Sequence, residues 1–134
     1  MTRGNVTRAG SSHDKLRRQA LDDLDALIQA TVDARRDLRT YQTAAEKNRR
    51  YLAGGGPASD ITKHIDGASL RVTFNDRISI LEGARNRARS SVWRLQIAEG
   101  LTISEIARVW RLSRQLVSRS LASGTRRRGA ARSP

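Results

Sequence analysis

The segment that decides the fold runs Leu101-Thr-Ile-Ser-Glu-Ile-Ala-Arg-Val-Trp-Arg-Leu-Ser-Arg-Gln-Leu-Val-Ser-Arg-Ser-Leu121. Gly100 ends the helix that precedes it. Thr102 follows with Glu105 three residues on, the spacing of a capping box, in which side chains satisfy otherwise unpaired amides. Ile103, Ile106, Ala107 and Trp110 share one helical face, so the spacing predicts a short helix from Ile103 to Val109 or Trp110. Leu112-Ser113 interrupts that pattern, and Ser113 offers a side-chain oxygen as the next N-cap. Leu116, Val117 and Leu121 supply an apolar face to a further helix, from about Arg114 to Ala122. Two short helices with a tight turn between them, after a longer supporting helix, make a helix-turn-helix arrangement.

Working outward, Asp14 to Leu52 contains neither proline nor glycine and reads as one long helix, capped by Ser12 or Asp14. Leu24, Leu27, Thr31, Ala34, Leu38, Tyr41, Ala45, Asn48 and Leu52 fall at alternating spacings of three and four, a seam of coiled-coil type. Leu21 and Ile28 widen it. Ala53-Gly54-Gly55-Gly56-Pro57 breaks the helix. No Lys-Ser/Thr follows these glycines and no strand precedes them, so they read as a turn and not as a phosphate loop. Ser59 or Asp60 caps a short helical turn over Ile61 to Ile65, ended by Gly67. A second long helix is expected from Thr73 or Asn75 to Glu99, with Phe74, Ile78, Leu81, Ala88, Val92 and Leu95 on its seam and Gly83 and Arg85 interrupting it.

The fold expected is all-α: two long helices forming an antiparallel coiled-coil-like hairpin, followed by a C-terminal helix-turn-helix. Residues 1–12 read as a disordered basic arm, 13–99 as the hairpin, 100–122 as the helix-turn-helix and 123–134 as a disordered basic tail. Two helices bury only one face each against one another, so a homodimer closing a four-helix bundle is expected to cover the rest. Leu24, Leu27, Leu38, Tyr41, Leu52, Ile78 and Leu81 are its candidate dimerisation residues.

The 134 residues carry 26 Lys and Arg against 13 Asp and Glu, a formal charge of +13. A positive field of that size on a small chain favours polyanions, nucleic acid first among them. Between Gly100 and Pro134 the charge is concentrated further, with Arg108, Arg111, Arg114, Arg119, Arg126, Arg127, Arg128 and Arg132 against the single acid Glu105.

The quoted segment resembles the helix-turn-helix of lac-repressor-type and Cro-type regulators and of resolvase and invertase C-terminal domains. Ala107 matches the small residue where the first helix meets the second, Leu112 the hydrophobe after the turn, and Val117 and Leu121 those within the recognition helix. The string Ser113-Arg114-Gln115-Leu116-Val117-Ser118-Arg119 is close to the lac-repressor type. The departure is Arg111, at the turn position usually filled by glycine.

With Val117 and Leu121 inward, Ser113, Arg114, Gln115, Ser118 and Arg119 face a major groove. Arginine can donate twice to guanine and glutamine can pair with adenine, so Arg114, Gln115 and Arg119 are the base-reading candidates. The resemblance implies the same positions, with Ser113 and Ser118 nearer phosphates. Arg111 and the tail residues Arg126, Arg127 and Arg128 are candidates for backbone contact or a minor groove.

Catalytic chemistry is not expected. There is no cysteine, and His13 and His64 lack a ligand or catalytic partner at a telling spacing. Asp22, Asp23 and Asp25 suit a helix start better than a metal loop, and Lys63-His64-Ile65-Asp66 reads as a surface turn. Trp93 and Trp110 read as core anchors. No cofactor, metal, membrane or small-molecule partner is expected, and no apolar N-terminal segment suggests secretion, which points to the cytoplasm, at the nucleoid if the source is prokaryotic. The function expected is sequence-specific binding of double-stranded DNA by a dimeric transcriptional regulator. An architectural or partition-type protein coating DNA with little specificity, and a helical adaptor for a protein partner, are the alternatives.

Overall fold

The computed structural model describes residues 3–61 and 66–130, with side chains described over 12–61 and 66–122. Among the described residues four helices carry the chain: α1 (Arg3–Ala53), α2 (Gly67–Ala98), α3 (Ile103–Trp110) and α4 (Arg114–Ala130). A single 3-10 turn, Ala58–Asp60, lies between α1 and α2, and no strand occurs among the described residues. The all-helical class expected from periodicity therefore holds, and the two long helices pack together.

Several boundaries differ from those read off the sequence. α1 begins at Arg3, so Ser12 and Asp14 lie inside the helix and cap nothing, and part of the stretch expected as an arm is helical. No proline in Arg3–Ser12 stops the helix, and its two glycines only weaken it. α2 begins at Gly67 and not near Thr73. Asp66 is its N-cap: the Ser69 amide donates to Asp66 Oδ1 at 3.0 Å and the Leu70 amide to the Asp66 carbonyl at 3.0 Å. Gly67 thus opens a helix where it was expected to end one. Of the turn expected over Ile61 to Ile65, residues 62–65 lie outside the described residues. α4 continues to Ala130, past the Ala122 end expected.

The chain divides into two compact units, Met1–Leu27 with Ala84–Pro134, and Ile28–Gly83. In the first, α1 and α2 run antiparallel. His13 and Arg17 meet Glu99 at 3.1 and 3.3 Å, and the Ser91 hydroxyl donates to Asp23. Ala20, Ala84, Ala88 and Ser91 are buried. In the second unit the same antiparallel sense appears, with Arg77 bonded to Asp37 and 3.8 Å from Asp33, and the Tyr41 and Phe74 rings 5.3 Å apart. Its buried apolar residues are Ala30 and Ala34.

The seam of α1 keeps Leu27, Ala34 and Asn48 of the one expected and exchanges positions between them for their neighbours. Asp23, Ala30, Asp37, Ala44 and Tyr51 are buried or half-buried, whereas their neighbours Leu24, Thr31, Leu38, Ala45 and Leu52 are exposed. Alanine lets backbones approach closely, and the two carboxylates find Ser91 and Arg77 across the seam. Among the candidate dimerisation residues, Leu27, Ile78 and Leu81 are half-buried within the chain, while Leu24, Leu38, Tyr41 and Leu52 are open to solvent.

Candidate nucleic-acid interface

α3, α4 and the end of α2 enclose a core in which Trp93, Ile106, Ala107 and Val117 are buried, flanked by Leu101, Ile103, Leu112 and Leu121. Trp93 and Val117 have no exposed surface. The ring of Trp110 meets Trp93 edge to face, with centroids 5.6 Å apart, yet Trp110 itself is 48% exposed. Only Trp93 is a core anchor, against the expectation for both. Val109 is also open, at 74%, in keeping with its place off the face shared by Ile103, Ile106 and Ala107.

The helix ends are built locally. The Glu105 amide donates to Thr102 Oγ1 at 3.1 Å, and the Thr102 hydroxyl lies 3.1 Å from Glu105 Oε1. The expected pair is thus present, with the hydroxyl where a capping box uses the backbone amide. Ser113 caps α4, its Oγ accepting from the Leu116 amide at 3.0 Å.

Three helices end in one geometry. After α1 the Gly55 amide donates to the Leu52 carbonyl and the Gly56 amide to the Tyr51 carbonyl. After α2 the pairs are Gly100 to Ile97 and Leu101 to Gln96, and after α3 they are Arg111 to Arg108 and Leu112 to Ala107. Each is a Schellman motif, which needs one residue in left-handed backbone. Gly55 and Gly100 supply it with φ of 88° and 108°, and Arg111 supplies it with φ of 54° and ψ of 45°. A side chain there costs on the order of 1 kcal/mol. Arg111 thus takes the left-handed position that glycine fills at the other two helix ends.

This frame sets which side chains are outward. Val117 is buried and Leu116 and Leu121 half-buried, which leaves Ser113, Arg114, Gln115, Ser118 and Arg119 exposed along α4, with Arg111 exposed in the turn before it. The side chains of Arg126, Arg127 and Arg128 lie outside those described. α4 is further tied to α2 by polar contacts that sequence reading missed. Arg89 Nη2 reaches Ser120 Oγ at 3.4 Å, Ser90 Oγ donates to the Ser120 carbonyl at 3.3 Å, and Arg94 donates to the Leu121 carbonyl at 3.3 Å. These pairs lie some thirty residues apart, and no short-range pattern announces them.

Charge is one-sided. From Ala84 to Ala122 there are eight arginines, Arg85, Arg87, Arg89, Arg94, Arg108, Arg111, Arg114 and Arg119, and two acids. Glu99 is engaged by His13 and Arg17 and Glu105 by Thr102, so neither neutralises the outward face of α4. Among the described residues no group of His, Cys, Asp and Glu could hold a metal ion, and no helix is long and apolar enough to cross a membrane. No protein-family model, curated protein or solved structure matches this chain.

Proposed function

We propose that this chain is a sequence-specific double-stranded DNA-binding protein, a dimeric transcriptional regulator in which α3 and α4 form a helix-turn-helix. The observation that carries the reading is the exposed row Ser113, Arg114, Gln115, Ser118 and Arg119 on a helix whose opposite side is fixed by buried Val117. A rigidly seated helix of this width fits a major groove, where Arg114, Gln115 and Arg119 meet base edges and Ser113, Ser118 and Arg111 meet phosphates. Arg126, Arg127 and Arg128 add backbone contacts.

Two copies set the spacing of two recognition helices, and the open apolar residues Leu24, Leu38 and Leu52 on α1 supply surface for the pairing. No catalytic step, metal or cofactor belongs to this role. Its place is the cytoplasm, at the nucleoid in a prokaryote.

Selection from random duplexes, with the stoichiometry measured by sedimentation, tests both halves of the reading. An enriched site with two-fold symmetry and two chains per duplex is expected. Arg114→Ala and Arg119→Ala should each cost roughly 1–3 kcal/mol at one base position and relax preference there. Equal binding to every sequence would replace this reading with the DNA-coating one, and no retardation of any duplex at low salt would replace it with the adaptor.

A further inference from the structure

Arg85 and Arg89 lie one helical turn apart on α2, a spacing that puts both on one face. Arg89 is held in place from two sides. Its guanidinium carbon sits 4.8 Å from the centroid of the Trp93 ring, and Nη2 reaches Ser120 Oγ on α4 at 3.4 Å. Its Nε is buried and has no hydrogen-bond partner. Burial, and after it the charge of Arg85, holds the Arg89 guanidinium below its ordinary value.

The acid nearest in sequence is Glu82, three residues before Arg85, and it is exposed. Glu99 pairs with His13 and Arg17, and Asp23 accepts from Ser91. Among the described residues no ion pair reaches Arg85 or Arg89. Two like charges one turn apart on α2, with the Ser120 hydroxyl beside Arg89 and no acid paired to either, are an incomplete arrangement that an anion completes.

We propose that Arg85 and Arg89, with the Ser120 hydroxyl, hold one backbone phosphate of the duplex whose groove receives α4. The inference rests on the DNA-binding reading above. A phosphodiester offers two anionic oxygens, and the planar guanidinium fork matches that geometry better than a point charge would. Stacking on Trp93 fixes where Arg89 points, so little side-chain freedom is lost when the anion arrives. Ser120 precedes Leu121 on α4 and follows Arg119, which joins the phosphate site to the base-reading row through one helix. The supporting helix α2 thereby becomes part of the interface, beyond the residues between Leu101 and Leu121.

The experiment measures binding of the full chain to its selected duplex and to a scrambled one over a range of salt, for the parent, Arg85→Gln and Arg89→Gln. Arg85 is exposed, so Arg85→Gln should melt like the parent, and it is the decisive variant should Arg89→Gln loosen the junction with α4. Arg85→Gln is expected to lower the slope of log affinity against log salt by about 0.9 and to weaken both duplexes by the same factor. An unchanged slope overturns the phosphate site and leaves the DNA-binding reading standing. A parent that binds neither duplex overturns the DNA-binding reading, and the site with it. In a second arm, inorganic phosphate is titrated while the Arg89 Nε resonance is followed. A shift with phosphate alone, together with an unchanged salt slope on DNA, would assign the site to a free anion and overturn the duplex assignment.

Discussion

Around Trp93, Ile106 and Val117 the largest side chains are the ones with essentially no exposure, and every helix end within reach is capped. In residues 28–83 the pattern is reversed. Among the described residues there, the buried apolar ones are Ala30 and Ala34, while Ile28, Val32, Leu38 and Tyr41 are each at least 45% exposed. Two positions along an α-helix turn by roughly 200°, so Ile28 and Val32 lie on the side of α1 opposite Ala30. The first arrangement is a closed core of a few anchors. The second is a narrow seam of alanines and paired charges that leaves large aliphatic groups unused. A chain that places its bulk on the outside of a hairpin holds apolar surface for something other than the hairpin, which favours the dimeric form of the proposed function.

The largest effect should come from the closed core. Trp93→Ala should cost about 3–5 kcal/mol and abolish cooperative melting of the α3–α4 end, measured by near-UV circular dichroism and thermal unfolding. A loss below about 1 kcal/mol would show that this core is no tighter than the hairpin and would erase the contrast. In the hairpin the polar seam should matter more than any single aliphatic group. Arg77→Ala leaves Asp33 and Asp37 without their cross-helix partner, and a loss of about 1–3 kcal/mol in denaturant unfolding is expected.

A smaller and signed effect separates the shared helix ends. Gly100→Ala should destabilise and Arg111→Gly should stabilise, each by about 1 kcal/mol in a thermal melt, because both residues occupy left-handed backbone. If Arg111 also meets a phosphate, Arg111→Gly gains stability while the salt dependence of its DNA affinity falls, and an unchanged salt dependence would deny it that contact. The smallest effect on the monomer should follow Leu38→Gln and Leu52→Gln, within about 0.5 kcal/mol each. Their readout is sedimentation equilibrium, where loss of self-association is expected, and an unaltered dimer would remove these residues from the pairing surface.

The parts of the molecule legible in the sequence are those whose partners lie within five residues. Thr102 with Glu105, Ser113 with the Leu116 amide, and the inward side of α4 all follow from caps and helical period, and these alone place Arg114, Gln115 and Arg119 on the outside. The unusual turn was also visible as a non-glycine residue, although its Schellman geometry was not. Asp66 as a cap is equally local, carried by Asp66-Gly67-Ala68-Ser69, but Gly67 in the same stretch also reads as a helix stop.

By itself, then, the sequence determined that the chain is helical, where α3 and α4 begin and turn, and which residues of α4 are available to a partner. Only the tertiary structure decided which of two adjacent stripes on α1 became the seam. Both stripes satisfy the same three-and-four spacing, so periodicity cannot choose between them. The choice falls to distant partners, Ser91 for Asp23 and Arg77 for Asp37, and to the close approach that Ala30 allows where Thr31 would not. Tertiary structure likewise buried Trp93 and left Trp110 half open, and it carried Arg89 to Ser120. Such contacts are made between residues tens of positions apart, and their energies appear only once the helices have met.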